Sequence, residues 1–177
     1  DEALRGSEQR YREVVDNVSE GIIVVQDEVF VFFNPAALRV TGYSWEEIRG
    51  QSFSGFTHPD DLAAVADRYR RRIAGETNDP RFEFRVLRKD GAAIWVQLSG
   101  VMIQWNGRPA NLYFVSDIDE RKRAEAALRH SEERYRLLVD HASEGILISQ
   151  EGILRFVNPR IAELAGRGIA ELTGQPL

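Results

Sequence analysis

Short runs of hydrophobic residues, separated by polar turn residues, dominate the first 119 positions. The β-branched and aromatic runs 21–26 and 29–33 flank the acidic pair Asp27-Glu28. This pattern predicts two antiparallel strands joined by a tight turn. Three more strands are predicted at 82–87, 93–103 and 111–117. The Asp90-Gly91 and Asn106-Gly107 pairs between these three strands favour type I′ hairpins, because both residue pairs tolerate positive φ.

Helical spacing of apolar residues indicates several helices between and around these strands. The first is a lead-in helix at 5–18, with an apolar stripe at Leu4, Tyr11, Val14, Val15 and Val18. Asn34 is predicted to cap a helix that begins at Pro35, and Ser44 with Glu47 forms a capping box around 45–48.

The longest helical pattern before the last three strands covers 59–74. It carries acidic residues in its first turn and an apolar stripe at Leu62, Val65, Ala66, Tyr69 and Ile73. His58 stands directly before its Pro59, where we expect it to cap the helix or form a turn. The order of elements predicts an α+β fold, with a five-stranded antiparallel sheet and helices over one face.

The chain also contains an internal repeat. Residues 7–26, SEQRYREVVDNVSEGIIVVQ, return 124 residues later as SEERYRLLVDHASEGILISQ. We therefore expect four segments: the end of an upstream linker helix at 1–6, a complete domain at 7–119, a helical linker at 120–130, and the N-terminal part of a second domain at 131–177. The second copy lacks the counterpart of 54–117, so we expect it not to complete the same core.

Five local sequences, in this order, resemble PAS domains that carry a PAC segment: SEQRYREVVDNVSEGI, FFNPAALRVTGYSWEEIRGQSF, THPDDL, RKDGAAIWV and DIDERKRAEAALR. The resemblance implies a PAS fold followed by a signalling helix and a truncated second PAS domain. It also implies a non-catalytic sensory and dimerisation module of a multidomain bacterial signalling protein, with a sensor histidine kinase or a cyclic-dinucleotide enzyme as output. The alternative is a passive dimerisation scaffold without a ligand.

The segment Asp117-Ile118-Asp119 is similar to the Asp-Ile-Thr exit motif of that family, which couples the last strand to the exit helix. We expect Asp119 to cap this helix. The helix is predicted to run from Glu120 to at least Ala142. A short coiled-coil seam follows the positions Ala124, Leu128, Ser131, Tyr135, Leu138 and Ala142. Signal transmission is assigned to the exit motif with Leu128, Tyr135 and Leu138, through a homodimer of linker helices; a monomeric amphipathic helix is the alternative.

A small apolar ligand is one possible occupant of the space between the sheet and the 59–74 helix. Eight residues are expected to line this space: Ile23, Val25, Tyr69, Ile73, Phe84, Val86, Tyr113 and Val115. The alternative is a fully packed core, because folding requires apolar residues at these positions in either case.

Composition narrows the chemistry. The absence of cysteine excludes disulfides, thiolate catalysis and cysteine-based flavin photochemistry, although a noncovalent flavin stays open. The resemblance implies that a haem would be ligated by a histidine of the helix facing the sheet, and the absence of histidine from 62–74 argues against such a haem. No metal or catalytic constellation is recognisable. We therefore expect no cofactor.

Charge and hydropathy argue against nucleic-acid binding and against a membrane span. The net charge is −5, and the basic run Arg70–Arg72 is predicted to be a solvated helix face, not a nucleic-acid site. No stretch reaches the about 18 to 20 apolar residues of a membrane span, and the first residues lack the apolar core of a signal peptide. We therefore expect a cytoplasmic protein.

Overall fold

The computed structural model describes residues 13–76 and 81–177, and the chain divides into two compact units. The first unit extends through Lys122, and the second comprises Arg123–Leu177. The predicted linker segment 1–6 and the lead-in helix before residue 13 lie outside the described residues. Residues 13–17 are helical, in agreement with the end of that lead-in helix.

The first unit contains a five-stranded antiparallel sheet with strand order β2-β1-β5-β4-β3. The strands are β1 Gly21–Gln26, β2 Val29–Phe33, β3 Arg81–Leu87, β4 Ala93–Trp105 and β5 Arg108–Asp117. All five predicted strands are present, and the last two extend further than predicted. Strands β4 and β5 are joined by a two-residue hairpin. Strand β5 lies at the centre of the sheet, between β1 and β4.

Three helices of the first unit begin where their capping residues predict: α1 Pro35–Thr41, α2 Trp45–Ile48 and α3 Pro59–Ile73. A 3-10 helix at Phe53–Phe56 was not predicted. The Asn34 side chain accepts a hydrogen bond from the Ala37 N–H, and Ser44 with Glu47 forms both bonds of a capping box. His58 Nδ1 accepts the Asp60 N–H at 3.3 Å, so this histidine caps α3.

Two of the three predicted tight turns have the expected geometry. Asp27-Glu28 and Asn106-Gly107 both adopt positive φ at their two residues, as a type I′ turn requires. The type I′ prediction for Asp90-Gly91 is wrong, because only Gly91 has positive φ there. The Asp90 carboxylate instead accepts the Ala92 N–H at 2.9 Å, within a longer loop between β3 and β4.

The core lies between one face of the sheet and the helices. Aromatic rings pack against one another within it: Phe30 and Phe33 meet edge to face with centroids 4.9 Å apart, and Phe53 and Tyr69 form a tilted pair with centroids 5.4 Å apart. Strand β1 is buried along its whole length. This arrangement confirms the predicted α+β fold.

The second unit contains most of the long helix α4 Asp119–Asp140, which begins in the first unit, and a two-stranded sheet. The remaining elements are β6 Leu147–Gln150, β7 Ile153–Val157, α5 Pro159–Ala165 and α6 Ile169–Leu172. The prediction that α4 extends to Ala142 is wrong, because the helix ends two residues earlier. The last predicted seam position therefore lies outside the helix.

Candidate functional site

A cavity of about 80 Å³ lies in the core of the first unit, between the sheet and the helices. Seven of the eight predicted lining residues surround it: Ile23, Val25, Tyr69, Phe84, Val86, Tyr113 and Val115. Ile73 does not line the cavity; it is partly buried and packs against the hydrophobic core. The cavity occupies the predicted position between the sheet and α3.

Several further lining residues were not predicted, among them Phe30 and Phe33 of β2. Strict alternation places residues 30 and 33 on opposite faces of a strand. A β-bulge in β2 leaves Val31 as an extra residue opposite Val24 and Val25 of β1, so that Phe33 pairs with Ile23 and Phe30 with Val25. Both rings therefore reach the cavity, and the sequence offers no simple signal for this bulge.

Arg72 is another lining residue that was not predicted, and it corrects the prediction that the basic run Arg70–Arg72 is a solvated helix face. Arg70 and Arg71 are exposed, but Arg72 is only 8% exposed and lines the cavity. Its guanidinium donates from Nη1 to the carbonyl of Gly100 and lies 5.8 Å from the centre of the Tyr113 ring. The position could have been found by spacing, since 65, 69 and 72 follow one helical stripe.

Two tyrosines contribute hydroxyl groups to this part of the core. Burial raises the pKa of Tyr113 to about 12, against the opposing effect of the Arg72 charge. Burial also raises the pKa of Tyr69, whose hydroxyl accepts the Glu28 N–H at 3.1 Å. Both phenols are therefore neutral hydrogen-bonding groups at neutral pH.

The exit motif binds back to β4 through Trp95. The Ile118 N–H donates to the Trp95 carbonyl at 2.9 Å, and the Trp95 N–H donates to Asp119 Oδ1 at 3.2 Å. The Asp117 carboxylate accepts the Asp119 N–H at 2.9 Å. Helix α4 begins at Asp119 itself, so the prediction that Asp119 caps a helix starting at Glu120 is wrong by one residue. The Asp119 carboxylate instead links the helix to the sheet through the Trp95 N–H.

Ion pairs attach the first turn of α4 to β3. Glu83 lies 2.6 Å from Lys122 Nζ and 2.7 Å from Arg121 Nη2. These two cations, Lys122 foremost, lower the pKa of Glu83. Lys122 also lies 5.1 Å from the centre of the Trp95 ring. The helix is consequently held by Glu83 and Trp95 on two neighbouring strands.

The cavity and the exit junction use opposite faces of the same strands. Phe84 and Val96 form a cross-strand pair that lines the cavity. Glu83 and Trp95, which hold α4, are the residues directly before them. Successive side chains of a strand point to opposite faces, so one residue of backbone separates the cavity-lining side chains from those at the junction.

The predicted seam of α4 is exposed. Leu128 is 63% exposed, Tyr135 67% and Leu138 61%. No described residue of α4 is classed as buried. The helix therefore presents large apolar side chains to solvent within its own chain.

The described residues contain no group of three or more histidine, aspartate or glutamate residues placed to hold a metal ion. Within the same residues, no helix combines the length and the apolar character needed to cross a membrane.

Two family models match the chain. One, described as PAS fold, matches residues 30–116, and the other, described as PAS domain, matches residues 133–177. A solved structure titled sensory box histidine kinase/response regulator from Burkholderia thailandensis E264 is 26% identical, with a TM-score of 0.56; it covers 73% of this chain and 99% of its own. The PAS domain of an HTR-like protein from Haloarcula marismortui has a TM-score of 0.57 at 23% identity, and covers 66% of this chain and 96% of its own.

Curated relatives are much longer than this chain. The probable diguanylate cyclase DgcE of Escherichia coli is 31% identical over 145 residues, which are 79% of this chain and 13% of that protein. The sensor histidine kinase TmoS of Ectopseudomonas mendocina is 30% identical over 129 residues, which are 71% of this chain and 13% of that protein. The shared region is therefore a small part of each relative.

Proposed function

Because this chain belongs to the PAS family, we propose that it is a non-catalytic sensory and dimerisation module of a multidomain signalling protein. In this proposal the first PAS domain spans 7–119, residues 120–130 form the linker, and 131–177 begin a second PAS domain. The output is a sensor histidine kinase, by analogy with TmoS; the analogy with DgcE favours a diguanylate cyclase as the alternative.

The observation that carries the proposal is the shared use of β3 and β4. Their inner face lines the cavity through Phe84 and Val96, and the residues directly before these two hold helix α4. Occupation of the cavity would move the inner side chains by a fraction of an ångström. A packed core passes such shifts on, because it has little free volume to absorb them. The junction at Trp95 is the point at which α4 would receive them.

Dimerisation through α4 is the second part of the proposal. Leu128, Tyr135 and Leu138 follow an alternating spacing that suits a coiled-coil seam, and all three are more than half exposed. A second copy of this chain is the partner that matches this spacing, since a homodimer places identical seams against each other. A shift at the start of α4 would then alter the packing of two helices together.

The small volume of the cavity supports a second candidate function, the passive scaffold. A cavity of about 80 Å³ is below the about 300 to 1,000 Å³ of typical ligand pockets. If the core never accepts a ligand, the chain would only set the spacing and dimer geometry of its neighbours. The two functions differ in one respect: only the sensor needs the cavity to be coupled to α4.

A pair of matched substitutions tests that coupling. Val65→Phe places a ring in the cavity, whereas Val101→Phe makes the same change on the exposed face of β4. We expect Val65→Phe to change amide hydrogen exchange at Ile118, whose N–H donates to the Trp95 carbonyl across the junction, and at Lys122, whose N–H donates to the Ile118 carbonyl. Val101→Phe should leave both unchanged. Unchanged exchange in a folded Val65→Phe protein would support the scaffold instead.

A further inference from the structure

Apolar side chains form most of the cavity wall, and three of its hydroxyl groups are already hydrogen-bonded to the backbone. Thr41 and Thr57 donate their hydroxyl protons to carbonyls three and four residues earlier, at 3.2 and 2.9 Å. The Tyr69 hydroxyl accepts the Glu28 N–H at the turn between β1 and β2. These three hydroxyl groups are therefore directed at the protein's own backbone.

The two arginines in the wall are also held by the protein. Arg72 donates to the Gly100 carbonyl, and its guanidinium lies 5.8 Å from the centre of the Tyr113 ring. Arg68 donates to a backbone carbonyl of β3 at 2.9 Å, and its guanidinium lies 4.8 Å from the centre of the Phe82 ring. Each charge is thus stabilised by a carbonyl and an aromatic ring of the protein itself.

The Tyr113 hydroxyl differs from these polar groups. Tyr113 is only 9% exposed, and its hydroxyl makes no hydrogen bond within the part of the chain that the structure describes. Its ring lies across Gly100 of β4, where a Cβ would overlap it, so the position of the ring is fixed by close packing. A buried hydroxyl without a partner costs free energy and indicates a bound polar atom. Tyr113 is therefore the lining residue that can hold a polar group of a ligand.

The surroundings of Tyr113 favour an uncharged partner. Burial raises the pKa of its phenol to about 12, although the positive charge of Arg72 acts in the opposite direction. A negative oxygen is therefore less stable here than in water, and the same loss of hydration would act on an anionic ligand. Among the described residues that line the cavity, none is acidic, so a cation would have no counter-ion there.

We propose that the cavity binds a small uncharged molecule with one hydrogen-bond-accepting oxygen, to which the Tyr113 hydroxyl donates. Its apolar part would contact the aliphatic and aromatic side chains of the wall. The proposal rests on the sensory function above and names the chemical class of its ligand. An apolar cavity of about 150 Å³ takes benzene, so about 80 Å³ suits a molecule of about three or four non-hydrogen atoms. Short ketones and aldehydes such as acetone meet both conditions.

The test compares acetone with two probes of similar size on the full 177-residue chain. Acetate replaces one methyl group of acetone with a negative oxygen, and xenon fills an apolar cavity without a hydrogen bond. Binding is measured by NMR shifts of the Tyr113 ring and the Val96 methyl groups. We expect acetone and xenon to shift these signals and acetate to bind at least about tenfold more weakly than acetone. Equal affinity for acetate and acetone would overturn the uncharged class.

Removal of the hydroxyl alone locates the polar contact. Tyr113→Phe should weaken acetone binding about threefold to tenfold and leave xenon binding unchanged. Tyr135→Phe makes the same change on the exposed surface of α4 and should affect neither probe. Unchanged acetone affinity in folded Tyr113→Phe would refute the hydrogen bond and would indicate that a water molecule satisfies this hydroxyl.

Acetone labelled with carbon-13 at its carbonyl gives a second measurement on the unmodified protein, which applies even if Tyr113→Phe does not fold. If the Tyr113 hydroxyl donates to the bound carbonyl, its resonance should stay near the value in water, where the oxygen also accepts hydrogen bonds. A bound resonance at the value of acetone in an apolar solvent would show that the carbonyl has no donor and would refute the proposal.

The xenon experiment separates the ligand class from the sensory function. If xenon binds and acetone does not, the proposed class is wrong, whereas the coupling of the cavity to α4 is still tested by Val65→Phe. If neither probe binds, the cavity is closed to ligands of this size. The ligand proposal then fails, and the passive scaffold is favoured.

Discussion

Asn34 and Asn158, which lie 124 residues apart, make the same four hydrogen bonds in the two units. Asn34 Oδ1 accepts the N–H groups of Ile22 and Ala37, and its Nδ2 donates to the carbonyls of Val15 and Glu20. Asn158 has the corresponding partners: Ile146, Ile161, Val139 and Glu144. In each unit this one side chain joins the incoming helix, the first strand and the next helix.

We expect Asn34→Ala to lower the free energy of unfolding of the first unit by about 2 to 4 kcal/mol, because it leaves buried donors and acceptors without partners. Denaturant unfolding measures this change. In the second unit, Asn158→Ala should accelerate hydrogen exchange at the amides of Ile146 and Ile161, because both N–H groups donate to Asn158 Oδ1. A change below about 0.5 kcal/mol for Asn34→Ala would contradict the structural role of this asparagine.

Gly100→Ala should destabilise the first unit by about 1 to 3 kcal/mol, because the new Cβ overlaps the buried Tyr113 ring. Gly55→Ala is the matched control, since a Cβ there has no neighbour within 4 Å. The additional change Tyr113→Val should recover part of the loss, which a double-mutant cycle by thermal unfolding would detect. Strict additivity of the two changes would argue against this contact.

Local sequence signals predicted most of the fold, because caps and turns depend on neighbouring residues. Asn34 and the Ser44 capping box are examples. The residues that line the cavity were harder to predict, because some of them depend on contacts between segments distant in the sequence. Phe30 and Phe33 both reach it because of a bulge in β2, which shows only in the pairing with β1. Arg72 is buried because Gly100, 28 residues further along the chain, leaves room for it. Asp90-Gly91 failed as a type I′ signal because its loop is longer than two residues.

The attachment of α4 to β3 should depend on pH through Glu83. Its pKa is lower in the folded chain than the ordinary value of 4.5, so this carboxylate stabilises the fold above about pH 4.5 and loses that effect as the pH falls through its folded pKa. We therefore expect the difference in melting temperature between the wild type and Glu83→Gln to be largest at neutral pH and to vanish in acid. The exposed change Glu133→Gln should show a much smaller difference. A difference in melting temperature between the wild type and Glu83→Gln that does not change with pH would contradict the prediction.

The two units should differ in their resistance to proteolysis. The first has a five-stranded sheet, whereas residues 131–177 form only a two-stranded one, which is marginally stable on its own. Leu147, Ile148 and Leu164 are exposed in this segment. We expect limited proteolysis to cut within 131–177 first and to leave a fragment that contains β1 to β5. Equal persistence of both units on a gel would show that the second is stabilised in a way this sheet does not explain.

The proposed dimer depends on the exposed seam of α4. Full burial of a leucine side chain contributes about 1.5 to 3 kcal/mol, so pairing of Leu128 and Leu138 between two helices is a substantial driving force. The helix is about 33 Å long at 22 residues, long enough for several turns of contact. Ser131 lies in the middle of the seam and should limit the affinity of the dimer. A moderate affinity suits a pair of helices whose packing changes during signalling.

We expect the double variant Leu128→Ser/Leu138→Ser to shift the protein toward monomer in analytical ultracentrifugation, while the circular dichroism of the first unit is retained. Leu137→Ser is the matched control: Leu137 is 60% exposed on the same helix, but it lies outside the seam spacing. A protein held together by the seam should tolerate the control and lose its dimer in the double variant. If both variants remain dimeric, the dimer contact lies outside α4, and the relay along paired linker helices has no physical basis in this chain.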